Sequence, residues 1–592
     1  MTARSAQVGT PAVSRPNELG AVGAIKTANI ETMAEAYLEL LADRGVDYLF
    51  ANAGTDFAPI IEAYARRSEL GLPAPRPMLV THETVAVAMA HGHAMVSGRA
   101  QTVMVHVIVG LANALCGIMN AARGNVPMLM TAGRTPITES GLLGCRDRPI
   151  HWAQESFDQG AIVREFVKWD YELRNFLQLE VVLDRALAIA HTEPQGPVYL
   201  SLPREVIGER QTALEYSSPA RIAAPQPPTA AAPAIAEAAR ILTRAENPVV
   251  ITKSLGRNQA AVGSLVRFAE TLGAPVYEQF HTHLNFPQDH ALHAGFEAAP
   301  ALETADAIVV IESDVPWFPK QTRPPAATPV IQIGVDPLYS RYPVRGFAVD
   351  LALAGSPQAS LDALTDALAP QLDPSMVVAR RRRLAAEHER RRQRDRDEAR
   401  RAADKRPIEM VWVSHCIGEF IDDDTILVNE YDFDASQGVF RRPGSYFAMP
   451  PSSGLGWGLG AALGAKLAAP NKTVICCVGD GAYLFGAPTA AHYASRMHGI
   501  PVLFVVYNNQ AWNAVKRSVA SYAGDGRAMR SGRMALTYLD APPDYEMICQ
   551  ANGGYAERVE DPSEVAAALR RALRVVREDG RQALLNVICR KP

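Results

Sequence analysis

The stretch from Thr473 to Ala511 limits what this chain can fold into more than any other. It opens with an apolar run, Val474 to Val478, of β-branched and small residues, the composition of a parallel strand buried on both faces. The run stops at Gly479-Asp480-Gly481. A helix fits Ala487 to His498, with Pro488 near its first turn and Gly499 just past its last, and a second apolar run, Pro501 to Tyr507, stops at Asn508-Asn509. The unit is βαβ, and such units bind ligands outside the carboxyl ends of their strands. Asp480 and Asn509 leave neighbouring strand ends there. With a main-chain carbonyl such as that of Ala511 they form a hard oxygen set that suits Mg²⁺, whose octahedron is completed by water and phosphate. The flanking glycines let the backbone approach a phosphate closely. A carboxylate beside a diphosphate is repulsive unless a cation lies between them, so Asp480 argues for a metal-bridged diphosphate. A bare dinucleotide turn fits less well, because Gly479 and Gly481 supply G-x-G but Leu484 stands at the third glycine position.

Gly-Asp-Gly, a helix, and a strand ending in Asn-Asn resemble the thiamin diphosphate (ThDP) motif of the 2-oxo-acid decarboxylase and acetolactate synthase superfamily. The resemblance implies that Asp480, Asn509 and the Ala511 carbonyl hold Mg²⁺ against the diphosphate, beside Gly479, Gly481 and Ala482. The 29 positions from Asp480 to Asn509 (509 − 480) slightly exceed the family spacing, which points to an insertion at the turn Leu484 to Pro488. The segment Ser453-Gly454-Leu455-Gly456-Trp457-Gly458 resembles the superfamily's glycine-rich helix entry. By that resemblance Ser453 and Gly454 contact the cofactor, and Leu455 is the wedge that bends it.

Upstream, His82-Glu83-Thr84 matches the place of the superfamily's catalytic glutamate. Glu83 is expected to hydrogen-bond the aminopyrimidine ring nitrogen and so favour the tautomer that takes the proton from the thiazolium carbon. His106, at the end of an apolar run, matches a histidine of the benzoylformate decarboxylase branch and is expected to relay protons. Thr55 matches that branch's serine, although the usual proline after Asn52 is missing. Gln154 falls where acetolactate synthases carry F-Q-E, and His281 near a pocket histidine. Tyr431 to Phe433, Trp512 and Val515 are expected to line the substrate pocket.

The 592 residues exceed one core, with 48% apolar and 21% charged residues marking a globular chain. A net charge of −4 gives no electrostatic reason to expect nucleic acid or a membrane surface. Seven scattered cysteines without a C-x-x-C pair read as reduced core thiols of a cytoplasmic protein. Residues 1–24 lack an apolar core and read as a disordered tail rather than a secretion signal. The expected class is α/β, three doubly wound parallel-sheet domains. These are a pyrimidine-binding domain at 25–205, a linker at 206–233, a central domain at 234–376, a charged connecting helix at 377–406 and a diphosphate-binding domain at 407–592. Expected strands include Gln101 to Ile108 in the first domain, and Pro248 to Thr252, Ala307 to Ile311 and Val330 to Val335 in the central one. Mixed-sign charge in the connecting helix is the pattern of a solvated face.

The resemblance implies an enzyme dependent on ThDP and Mg²⁺ that makes or breaks a C–C bond beside a carbonyl. Decarboxylation of a 2-oxo acid, with or without ligation to a second carbonyl, is the expected reaction. Hydrolysis of a cyclic 1,2-diketone is the alternative on the same fold. A dinucleotide oxidoreductase and a non-catalytic paralogue are disfavoured by Asp480, Asn509 and Glu83 together. FAD is possible but not favoured, because Lys253-Ser254-Leu255-Gly256-Arg257 lacks a glycine cluster. The superfamily places its cofactor between subunits, so a homodimer or homotetramer is expected.

Overall fold

A computed structural model describes residues 24–591. Of the tail expected at residues 1–24, all but Ala24 lies outside the described residues. Three six-stranded sheets follow one another along the chain, and every strand pair within them is parallel. The first sheet runs Arg76–Leu79, Tyr48–Ala51, Gln101–Val105, Met128–Arg134, Pro197–Pro203, Asp170–Glu172. The central one runs His293–Gly295, Val276–Tyr277, Pro248–Thr252, Ala307–Ile311, Val330–Gly334, Leu351–Ala354. In the last the order is Tyr446–Ala448, Thr425–Glu430, Thr473–Gly479, Leu503–Asn508, Ala583–Ile588, Tyr555–Val559. Thr473–Gly479 and Leu503–Asn508 are buried at every residue, as runs without polar alternation must be when helices cover both faces.

In each sheet the chain leaves one inner strand first to one side and then to the other. That reversal opens a crevice at the strand ends, the usual ligand position of an open α/β sheet. The three crevices lie between Tyr48–Ala51 and Gln101–Val105, between Pro248–Thr252 and Ala307–Ile311, and between Thr425–Glu430 and Thr473–Gly479.

The first and last sheets are joined through two apolar helices, Glu83–Ser97 and Trp457–Ala468, whose contact is the most extensive between any two elements described. Small residues bring their backbones together: a Cβ on Gly92 would lie 2.0 Å from the Ala461 carbonyl oxygen, and one on Gly464 1.9 Å from that of Met89.

Several expectations are corrected. The strand read as Gln101 to Ile108 ends at Val105, and Val107–Arg123 is a helix. Its β-branched start, Val107-Ile108-Val109, has strand propensity, but packing overrides it. The linker read as 206–233 contains a strand, Ala213–Ser218, that pairs antiparallel with Ala24–Asn29. Ala24–Asn29 is exposed along most of its length, while Ala213–Ser218 buries Leu214, Tyr216 and Ser217. Of the turn expected from Leu484 to Pro488, Leu484 and Phe485 end a short helix, Asp480–Phe485, Ala487 has φ 49°, and Pro488 begins the next helix. The connecting helix spans Pro374–Ala402 and is not solvated all round: Arg380 is buried and donates to the carbonyls of Leu272 and Ala245. All seven cysteines are unpaired, but Cys116 and Cys145 are half-buried rather than core residues. Among the described residues no helix is long and apolar enough to cross a membrane.

Candidate active site

At the first crevice, Glu83 opens its helix with 7% exposure. Its carboxylate is clamped by two amides: Asn52 donates to Oε1 at 2.8 Å and Asn113 to Oε2 at 2.5 Å. Asn52 comes from the loop after the first inner strand and Asn113 from the helix after the second, so the topology itself brings both donors to Glu83. His106 caps the helix Val107–Arg123, and its Nδ1 lies 2.5 Å from Asp56 Oδ1. Gln154 lies beside the imidazole with its buried Oε1 unpartnered. Thr55 is exposed on the same loop as Asp56. Glu83, His106, Thr55 and Gln154 were thus predicted; Asn52, Asn113 and Asp56 were not given roles. Two amides and a second acid on separate elements carry no spacing signature, and only the folded crevice shows their target.

At the last crevice, Asp480 is 1% exposed. Its Oδ1 accepts the Gly481 N–H (2.9 Å) and its Oδ2 the Gln510 N–H (2.7 Å), so it ties its own strand end to the next. Asn509 Oδ1 accepts the Ala511 N–H at 2.9 Å. Asp480 is thus tied to the turn that carries Asn509 and Ala511, where the Ala511 carbonyl accepts the Asn513 N–H at 3.0 Å. Gly479 and Gly481 have a further reason: a Cβ would meet Asp432 Oδ2 at 2.3 Å in the first case and the Trp512 ring at 2.5 Å in the second. Ala482 lies buried in the same short helix.

Two acids at this crevice were missed. Glu430 is fully buried and accepts the N–H groups of Gly456 (2.7 Å) and Gly458 (2.6 Å), fixing the turn that carries Ser453, Gly454 and half-buried Leu455. Burial pushes its carboxyl up to about 7 despite those bonds. Burial, reinforced by the neighbouring Asp480, likewise pushes Asp432 up to about 7. Asp480 itself is pushed up to about 6 by burial. Among the described residues no ion pair joins a cation to any of the three, so the crevice has a deficit of positive charge. A divalent cation with a bound diphosphate fits that donor set.

Between the central and last sheets lies a cleft of about 660 Å³ with aromatic walls that include Phe296, Phe318, Tyr431, Phe433 and Tyr446. His281 lines it, stacked on Phe296 and Tyr446 with its Nε2 buried and unpartnered. Tyr431 reaches it from a left-handed backbone, φ 83°. Trp512 and Val515, expected to line the pocket, do not line this cleft. Trp512 lies on Gly481 and Val515 is an exposed residue of helix Asn513–Ala523, because the chain turns away after Ala511.

The central crevice carries ion pairs of its own. Lys253 pairs with Asp314 (2.6 Å), Arg257 with Glu193 (2.7 Å) and Glu312 (3.5 Å), and Tyr342 donates to Asp314 (2.9 Å).

Comparisons with known proteins follow the same division. Residues 31–162 match the domain described as thiamine pyrophosphate enzyme, N-terminal TPP binding domain. Residues 235–364 match the central domain of the same enzymes, and 431–587 their C-terminal TPP binding domain. The chain is similar to a benzoylformate decarboxylase of Pseudomonas aeruginosa, 28% identical over 512 residues that cover 82% of this chain and 88% of the relative. It is also similar to the acetolactate synthase isozyme 3 large subunit of Escherichia coli, 25% identical over 572 residues, 92% of this chain and 93% of the relative. Among solved structures, a thiamine diphosphate-dependent 4-hydroxybenzoylformate decarboxylase of Rhodococcus jostii RHA1 matches with a TM-score of 0.75 at 22% identity, over 95% of this chain and 99% of that one. A benzoylformate decarboxylase of Polynucleobacter necessarius matches with a TM-score of 0.76, also at 22% identity and with the same coverage. At that identity the structures speak for the fold.

Proposed function

The chain belongs to the thiamine pyrophosphate enzyme family, and from that premise we propose that it is a ThDP- and Mg²⁺-dependent enzyme that decarboxylates a 2-oxo acid, with or without ligation to a second carbonyl. The observation that carries the reading is the pair of crevices. One presents a buried carboxylate held by two amides, and the other a charge-deficient oxygen turn.

Asp480, Asn509 and the Ala511 carbonyl would hold the metal and diphosphate, with Gly479, Gly481, Ala482, Ser453 and Gly454 alongside and Leu455 as the wedge. Bound there, ThDP supplies a nucleophilic carbon for the substrate carbonyl and a sink for the electrons released when the adjacent C–C bond breaks. Glu83, held in place by Asn52 and Asn113, keeps a proton-sharing oxygen at the aminopyrimidine end. His106 delivers and removes protons at the reacting carbon. Thr55 and Gln154 orient the substrate carboxylate, and the aromatic cleft with His281 receives its side chain, which favours a 2-oxo acid with an apolar or aryl group.

Within one chain, among the described residues, no hydrogen bond joins Glu83 or His106 to Asp480 or Asn509. The cleft walls likewise come from the central and last sheets alone. We propose with it a homodimer or homotetramer in which a second copy supplies the first-domain residues, so that a monomer would be inactive. A cytoplasmic setting agrees with the unpaired cysteines. The ion pairs at the central crevice argue against FAD there.

The test is product analysis with ThDP, Mg²⁺ and a panel of pyruvate, benzoylformate and cyclohexane-1,2-dione. We expect an aldehyde from decarboxylation, or acetolactate or another acyloin where ligation follows. A ring-opened acid from the dione, with no CO₂ from either 2-oxo acid, would replace this reading by the hydrolase.

A further inference from the structure

Asp56 is 4% exposed, and among the described residues its carboxylate has one ion-pair partner, the imidazole of His106. Its Oδ1 meets His106 Nδ1 at 2.5 Å, while its Oδ2 accepts the N–H of Val107, the next residue along the chain, at 3.3 Å. Val107 is β-branched yet has φ 33°, a left-handed conformation that persists only where the surroundings impose it. The slot around the pair leaves no slack. A Cβ on Gly54 would lie 2.2 Å from His106 Nδ1, and one on Gly133 1.9 Å from Asp56 Oδ2.

The charged groups facing the imidazole are Asp56, from the loop after the first inner strand, and Glu83, from its own helix. The nearby cations are engaged elsewhere: Arg134 with Glu155 (3.1 Å) and Glu172, Arg146 with Glu155 (2.5 Å). A buried carboxylate left without a cation is costly, so the pair is most stable when the imidazole is charged. The direction agrees: the Asp56 bond, opposed by burial and helped by Glu83, raises His106 above the ordinary histidine value.

The geometry points to Asp56 as a positioning residue that holds His106 as an imidazolium bonded through Nδ1, leaving Nε2–H to act as the acid. The inference rests on the role given to His106 in the proposed function. When the C–C bond breaks, the proton moves from Nε2 to the carbon left with the electron pair. A C–H bond forms, the N–H electrons stay on the now neutral ring, and water restores the proton to Nε2. A neutral histidine would have to find that proton from solvent within the turnover.

The test follows the His106 ring in the full chain without cofactor, by NMR of ¹³C-labelled histidine, with His106→Gln assigning the signal. In the wild-type protein the midpoint should lie above the free imidazole value of about 6.5, and in Asp56→Asn it should drop by about one unit or more, a tenfold loss of proton affinity. Asp56→Glu should restore part of the shift. With substrate, the pH at which kcat falls on the alkaline side should move down in Asp56→Asn by the same interval. A folded Asp56→Asn with an unmoved His106 midpoint would overturn the assignment. A wild-type midpoint at or below 6.5 would overturn it even if the variant did not fold. Normal turnover by His106→Ala would instead remove the histidine from the chemistry, which the titration alone would not reveal.

Discussion

A carboxylate is stable inside a protein only when something supplies the hydrogen bonds or charge that water gave up. Glu83 has two amides, Asp56 an imidazole, and Glu430 two main-chain N–H groups. Glu430 is the clearest case of the cost, since burial raises it from 4.5 to about 7. Between those pH values the folded chain binds a proton at Glu430 that the unfolded chain has released, so stability falls as pH rises across that window. Glu430→Gln has no such proton. Its urea midpoint should therefore fall less steeply than the wild type's over the window, and parallel slopes would contradict the role of Glu430 as a buried proton site. Asp480 and Asn509 were legible in the sequence because the strand runs that end at them are fully apolar. Glu430 was not, because its partners are main-chain N–H groups of Gly456 and Gly458, which no side-chain pattern marks, and the adjoining Tyr431 to Phe433 read as pocket lining.

Elements fixed by composition were read well. Pro248–Thr252 and Ala307–Ile311 have the bounds that their apolar runs imply, and Val330–Gly334 differs by one residue. Elements fixed by context were not. Val276–Tyr277 and His293–Gly295 are too short to show a period, and the Val107 helix begins with residues that favour strand. The contact that joins the first and last sheets was likewise invisible, since Gly92 and Gly464 read only as small residues in apolar helices. The structure makes a definite claim about them. A methyl on Gly464 would meet the Met89 carbonyl at 1.9 Å and the His93 nitrogen at 2.8 Å, both main-chain atoms that cannot turn aside. Gly464→Ala should cost about 1–3 kcal/mol by overpacking. Gly263→Ala, whose methyl would meet only the end of the Arg267 side chain at 3.8 Å, should be neutral or stabilising by about 0.5–1 kcal/mol. Thermal and urea unfolding of the two variants would check this, and equal effects would contradict the tight crossing.

At the scale of the whole molecule, three similar sheets are put to three different uses. The first crevice holds Glu83 and the Asp56–His106 pair, the last holds Asp480 beside Asn509, and the central one carries a set of ion pairs. Sequence alone gave the order of the domains, because the motif at Gly479-Asp480-Gly481 and the acid at Glu83 sit at opposite ends of the chain with an α/β unit between them. It did not give the ion pairs of the central crevice, one of which depends on Glu193 crossing from the first domain to Arg257 (2.7 Å). We propose the last crevice as the seat of a metal-bridged diphosphate. Calorimetric titration of the purified chain with ThDP, with and without Mg²⁺, tests it most directly. Binding of one ThDP per chain that requires Mg²⁺ and is lost in Asp480→Ala is the predicted result. Binding that ignores both the metal and the loss of Asp480, or no binding at all, would contradict it.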